Sequence, residues 1–206
     1  MGVMTELHPI APVANDRVAD APVDPGFLDR WSPRAFSPEP VSEETVLSLF
    51  EAARWAPSSG NEQPWTYIYS STAAEYQRLL SLLDDSNQRW ASHAPILAFA
   101  VARLKWAKTG KPNRHAQFDT GTSWGYLALE ARKLGLYAHG MGGFDLERSY
   151  DVLNIPRDAY EVMAAIAIGY YGDPATLVER DRAREKPNGR RHVSEFAFHG
   201  ALPAQP

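Results

Sequence analysis

Arg30-Trp31-Ser32-Pro33-Arg34 sets two guanidinium groups and a hydroxyl at alternate positions of a five-residue segment. Pro33 disfavours helical geometry at the residue before it, which pushes Ser32 toward an extended conformation. In an extended chain, residues 30, 32 and 34 project to one side. Two guanidinium forks and a hydroxyl converging there would match the shape and charge of a phosphate. The same five residues also read as a solvated turn with two surface arginines.

A second segment, Pro57-Ser58-Ser59-Gly60-Asn61-Glu62-Gln63-Pro64-Trp65, is bracketed by prolines. Gly60 or Asn61 can adopt positive φ, so the loop can be tight and fixed. Its hydroxyls and side-chain amides offer the donors and acceptors that the edge of a heteroaromatic ring requires. An ordinary polar connection between a helix and a strand is the alternative. A third segment, Gly140-Met141-Gly142-Gly143-Phe144, places glycines ahead of a helix, where backbone N–H groups can approach a ligand closely. Its spacing is not GxGxxG and no strand is evident before it, so a dinucleotide-binding unit is a weak reading. The alternative here is a helix-to-helix turn with Met141 and Phe144 in the core.

Composition removes other chemistries. The chain has no cysteine, which excludes disulfides, thiolate nucleophiles and Cys-held metals together. Six histidines give no metal signature: His115 and Asp119 lie four apart on an expected helix, but two ligands are too few. His139, beside the glycine turn, is the one histidine placed to matter. No nucleophile or P-loop motif occurs, so redox or hydride chemistry would need a bound organic cofactor. A net charge of −4 argues against nucleic acid as the main partner. The longest apolar runs, 94–102 and 162–171, fall short of the roughly 18 residues of a membrane span. Without a visible secretory signal, a cytoplasmic protein is the default expectation.

The elements that must position these residues follow from periodicity and caps. At 206 residues one domain is expected. Residues 1–26 form an arm expected to be poorly ordered, with order starting near Phe27 and Leu28, and 27–206 form the domain. Ser42 caps a helix predicted over 42–56, with Glu43 and Glu44 in its first turn and Pro57 ending it. A strand is predicted at 65–70, a helix at 73–84, a buried strand at 95–104 and a variable loop at 105–113. The longest helix, 114–134, ends at Gly135. Gly121 and Gly125 within it each cost on the order of 1 kcal/mol relative to Ala, which a close neighbour would justify. A short segment at 136–138, the glycine turn, a helix at 145–153 and a strand at 161–171 complete the core, followed by a charged tail. The pattern suggests an α+β fold with a small sheet whose strand order is not fixed by periodicity.

Taken in order, RWSPRAF, EAARWAPSSGNEQPW and DTGTSWGYLALEARKLGLYAHGMGGFD resemble the nitroreductase family of FMN enzymes over roughly residues 27–198. The resemblance implies a small, mostly antiparallel sheet flanked by helices, and a homodimer with FMN at the subunit interface. It implies that Arg30, Ser32 and Arg34 hold the phosphate and ribityl chain, joined by Arg190 in GRRHVSEF, with Lys186 or Arg191 as lesser candidates. Ser58, Ser59 and Asn61 would approach the flavin ring from the other subunit, Asn87 in NQRWASHAP would bond its pyrimidine edge, and Gly142 and Gly143 would lie where backbone N–H groups face N5 and O4, with Pro57 and Met141 also counted among the cofactor-binding residues. The family often has an acidic residue where this chain has Gly142. The implied activity is ping-pong hydride transfer from NAD(P)H through FMN to a small-molecule electron acceptor such as a nitroaromatic or quinone. A specialised flavin dehydrogenase or dehalogenase, or a flavin-binding protein with little turnover, is the alternative.

Overall fold

Residues 96–103 are apolar at nearly every position, and the fold uses both sides of them. The computed structural model describes residues 13–203. In it, strand β2 (Ile96–Arg103) sends Leu97, Phe99 and Val101 to one face and Ile96, Ala98 and Ala100 to the other. Successive strand side chains point to opposite faces, so a strand covered on both sides reads as a continuous apolar run. Its partners are β1 (Trp65–Tyr69), β3 (Tyr137–Met141) and β4 (Tyr160–Gly169), in the order β1-β2-β4-β3. Each neighbouring pair is antiparallel, with Phe99 opposite Ala165 and His139 opposite Ala167.

Among the described residues, seven helices accompany this sheet: α1 (Pro25–Asp29), α2 (Glu43–Arg54), α3 (Ala73–Leu80), α4 (Asp85–Ala91), α5 (Ala116–Lys133), α6 (Leu146–Val152) and α7 (Glu179–Arg182). Against one face, α2 and α5 bury Leu49, Ala53, Leu127 and Ala131 over Ala98, Ala100, Ile166 and Ile168. Alanines on both helices and strands let these layers approach closely. Against the other face pack Leu79, Leu82, Leu83, Trp90 and Ile155. The α+β expectation of a small antiparallel sheet flanked by helices therefore holds. Ser42 caps α2 by accepting from the Thr45 N–H, and Thr72 and Glu75 form a reciprocal capping box on α3. Gly135, at φ 78°, ends α5 as its sequence position requires.

Three elements differ from the sequence reading. The helix predicted over 73–84 stops at Leu80, because Leu82 and Leu83 leave the helical path to enter the core. The seven-residue α4 was not predicted: it buries only Trp90 and Ala91, too little to leave a helical period. Residues 137–141, expected as a short segment running into a helix-to-helix turn, form edge strand β3 with Gly140 inside it. The Trp124 ring lies 3.3 Å from where a Gly140 Cβ would be, so the glycine accommodates an indole within a strand. At Gly121 and Gly125 on α5, by contrast, a Cβ would meet no atom of the described residues within 4 Å beyond the helix's own turn.

Beyond β4, residues 170–172 run beside 35–37: Ser37 N–H donates to Tyr170 O and Gly172 N–H to Ala35 O. This bridge joins the tail to the end of the Arg30–Arg34 segment. A Cβ on Gly172 would stand 2.5 Å from the Phe36 carbonyl carbon and oxygen. Because backbone cannot yield as a side chain does, Gly172→Ala is expected to destabilise the fold by about 2 kcal/mol, read as a lower urea midpoint at unchanged m-value.

Candidate functional site

The Arg30–Arg34 segment lies in a cavity of about 140 Å³ lined by Arg17, Arg30, Trp31, Ser32, Arg34, His139, Arg184, Lys186, Asn188 and Arg190. Six of these are cationic and none is a carboxylate. The alternation inferred from Pro33 is present: Arg30 Nη1 lies 3.4 Å from Ser32 Oγ, while Trp31 between them packs edge-on against Tyr137 and Tyr171. The Trp31 indole N–H is buried and has no hydrogen-bond partner among the described residues.

Residues far apart in sequence complete this cavity. Arg17 donates to the Leu28 and Arg30 carbonyls and to that of Asn188, tying the first described residues to the tail. The Glu185 carboxylate accepts from the Arg34 N–H at 2.8 Å and the Ala35 N–H at 2.8 Å. Burial, then the neighbouring Arg190 and Arg17, lowers the Arg30 pKa. Burial and Arg184 do the same for Arg34, against the pull of Glu185 and Asp181. Both start from values so high that they stay charged. The result is confined positive charge with a free donor beside it, which suits a phosphate or other compact oxyanion.

Asn87 and the glycine turn form a second group. Asn87 Nδ2 donates to Gly143 O at 3.0 Å, and Asp84 N–H reaches the same carbonyl at 3.1 Å. A Cβ on Gly143 would meet Asn87 Nδ2 at 2.6 Å and Asp84 Oδ2 at 2.8 Å, so any side chain there would displace the Asn87 amide and the Asp84 carboxylate. Gly142 faces open space. The N–H groups of Gly142 and Gly143 donate to no group among the described residues. The Met141 side chain is in the core, leaving only its backbone for a ligand.

Pro57, Ser58, Ser59 and Asn61 line neither the cavity nor the turn. Their loop is nevertheless rigid. Ser59 N–H donates to buried Asp119, Gln63 N–H to Ser58 Oγ, and Gly60 and Asn61 take positive φ. Glu62 bridges Arg103 and the Ala107 N–H, fixing the loop to residues 105–112. Asp119 is thus a backbone anchor, and among the described residues no group of three or more acidic or histidine side chains could hold a metal.

Of the basic residues in the tail, Arg190 and Lys186 line the cavity, whereas Arg191 faces the groove between arm and tail. Arg17, Arg184, Asn188 and Glu185 were not anticipated. Arg17 stands in a segment without periodicity, and Arg184 and Glu185 are hidden in an alternating run of charges over 179–186.

The Nitroreductase family model matches residues 28–88 and 69–170. The chain belongs to the nitroreductase family. A Streptomyces coelicolor relative named as an NADH dehydrogenase/NAD(P)H nitroreductase is 31% identical over 138 residues, covering 58% of this chain and 68% of that one. A solved structure described as an oxidoreductase containing FMN is 38% identical, with a TM-score of 0.88 over 95% of this chain and 100% of that one. A nitroreductase from Exiguobacterium sibiricum in complex with FMN shares the fold at 18% identity, with a TM-score of 0.66 over 82% of this chain and 92% of that one. In this nitroreductase-family chain the cationic cavity therefore sits on a fold with FMN-containing relatives.

His139 gives the site a pH signature. Burial pulls its pKa down to about 4; Arg34, Arg30 and Arg184 add to this and the Pro33 carbonyl opposes it. An unfolded histidine titrates near 6.5, so between about pH 6.5 and 4 the unfolded chain binds more protons and stability rises with pH. Acidification through that window costs up to about 3 kcal/mol. In phosphate-free buffer, His139→Phe should flatten this limb of the urea-midpoint profile; an equal fall in parent and variant would assign the acid sensitivity to other groups.

Proposed function

We propose that this chain is an FMN-dependent oxidoreductase that carries hydride from NAD(P)H to a nitroaromatic, quinone or similar conjugated acceptor by a ping-pong mechanism. The observation that supports it most directly is the cavity of six cations and an unpartnered indole N–H, with no lining carboxylate to neutralise them. Those residues fit the phosphate of FMN, the group named for the 38% identical relative.

Bound FMN would supply the redox centre, N5, that accepts and returns a hydride. The chain does the rest. Arg30, Ser32, Arg34 and Arg190 bind the phosphate and ribityl end, with Arg17, Arg184 and Lys186 adding charge. Asn87, one N–H spent on Gly143, keeps its carbonyl and second N–H for the edge of the ring. The N–H groups of Gly142 and Gly143 are fixed donors for negative charge that develops during transfer, and they need no reorganisation to act. The side chain missing at Gly142 leaves that contact intact, since backbone makes it. Donor and acceptor occupy one face in turn, and no side-chain nucleophile is needed.

The assembly proposed is a homodimer. Ser58, Ser59 and Asn61 of the partner subunit would complete each site, with Pro57 setting the loop's entry, because in their own subunit they lie away from the cavity. Exposed Phe118 and Tyr126 flank the open Gly121 and Gly125 on α5, a helix face suited to a second copy. The tail, with Val193, Phe196 and Phe198 exposed, would pack on that partner. No helix among the described residues is long and apolar enough to cross a membrane. A cytoplasmic setting, where reduced nicotinamide is made, completes the reading.

A visible spectrum of the purified protein before and after NAD(P)H should show an oxidised flavin that bleaches, and NAD(P)H oxidation should proceed with nitroaromatic or quinone acceptors. Arg34→Ala should weaken FMN binding by about 10- to 100-fold, the range of a lost charge-assisted contact. Colourless protein that takes up no added FMN would overturn the proposal.

A further inference from the structure

The Pro33–Arg34 peptide is held by both of its polar ends without belonging to a strand. Its carbonyl, on Pro33, lies 2.7 Å from His139 Nδ1. A carbonyl can only accept, so Nδ1 carries the proton and donates. Its N–H, on Arg34, donates to both oxygens of Glu185 at 2.8 and 3.0 Å, and the same carboxylate takes the Ala35 N–H. Pro33 itself is fully buried and offers no N–H for a ladder. The two side chains therefore replace the sheet bonds that this segment lacks.

Both anchors are themselves fixed. His139 stands on β3 opposite Ala167, and its ring stacks on buried Trp90 at 4.5 Å. Glu185 follows α7, in the tail that Gly172 joins to Ala35. One anchor thus comes from the sheet edge and the other from the tail. Ser32 and Arg34 flank the clamped proline, so the direction of both toward the cavity depends on the orientation of this one peptide.

We propose that His139 and Glu185 are positioning residues: they clamp the Pro33–Arg34 peptide from its two sides and thereby set Ser32 and Arg34 for a phosphate group. This rests on the reading of the cavity as the FMN phosphate site, and it assigns a function to two side chains that need not touch the ligand. A clamp of this kind acts on phosphate-bearing ligands alone, whereas general loosening of the fold weakens every ligand.

Riboflavin, which is FMN without its phosphate, separates the two. Dissociation constants for both would be measured on the full chain by quenching of flavin fluorescence. His139→Phe keeps a ring over Trp90 but removes the donor; it should weaken FMN by about tenfold, the scale of one buried hydrogen bond, and leave riboflavin within about twofold. His139→Gln restores an N–H donor and should recover most of the FMN affinity. Glu185→Gln, with one neutral acceptor left for two N–H groups, should weaken FMN several-fold with riboflavin again unmoved. Unchanged FMN affinity in both His139→Phe and Glu185→Gln, or parallel losses for FMN and riboflavin, would overturn the clamp alone. Wild-type protein that binds FMN no better than riboflavin would overturn the phosphate reading and the clamp with it.

Discussion

Six like charges facing one small cavity repel one another, and much of this fold can be understood as the scaffolding that holds them together. Burial strengthens such repulsion, because less water is present to screen it. The cations arrive from three parts of the chain: the first described residues, the segment after α1, and the tail after α7. Two tethers hold this arrangement through backbone groups. Arg17 is held through backbone carbonyls of Leu28, Arg30 and Asn188, and the Glu185 carboxylate is spent on backbone N–H groups in place of a guanidinium. Its burial raises the carboxyl pKa, and those N–H donors pull it back. The positive potential is thus left for something from outside the chain.

The two-sided sheet supplies the rigidity this requires. Because β2 and β4 are covered on both faces, neither can twist or slide without disturbing two cores at once. The edge strands inherit that register, and candidate site residues sit on or beside them. His139 lies within β3, Gly142 just past its end, and the Ser58–Asn61 loop leads into β1. The loop is fixed a second time by Asp119 from α5 and by Glu62 against Arg103.

How much of this the sequence disclosed depended on range. Local signals were readable: the Ser42 cap, the Gly135 stop and the apolar run of β2 each depend on residues within a few positions of one another. So was the alternation of Arg30, Ser32 and Arg34, since Pro33 constrains its own neighbour. The α4 helix was illegible because seven polar-rich residues with Trp90 and Ala91 buried leave no period to detect. β3 was masked by Gly140, which reads as a turn residue until the Trp124 ring that occupies its missing side chain is known. Arg17 and Glu185 were invisible for a different reason. Their importance comes from partners 13 and 151 positions away, and nothing in their own neighbourhoods distinguishes them from surface charges.

Strand β3 also serves as a ruler. His139 is locked to the Arg30–Arg34 segment, and Gly142 with its unengaged N–H stands three residues further on, just past the end of β3 at Met141. At about 3.3 Å per residue those points are about 10 Å apart, a spacing fixed by extended backbone that cannot stretch. A ligand that must satisfy both ends is therefore chosen by its length as well as its charge. An inorganic anion could fill the cationic end, and an uncharged ring could sit at the other, but only a molecule carrying both groups at that separation would engage the whole span.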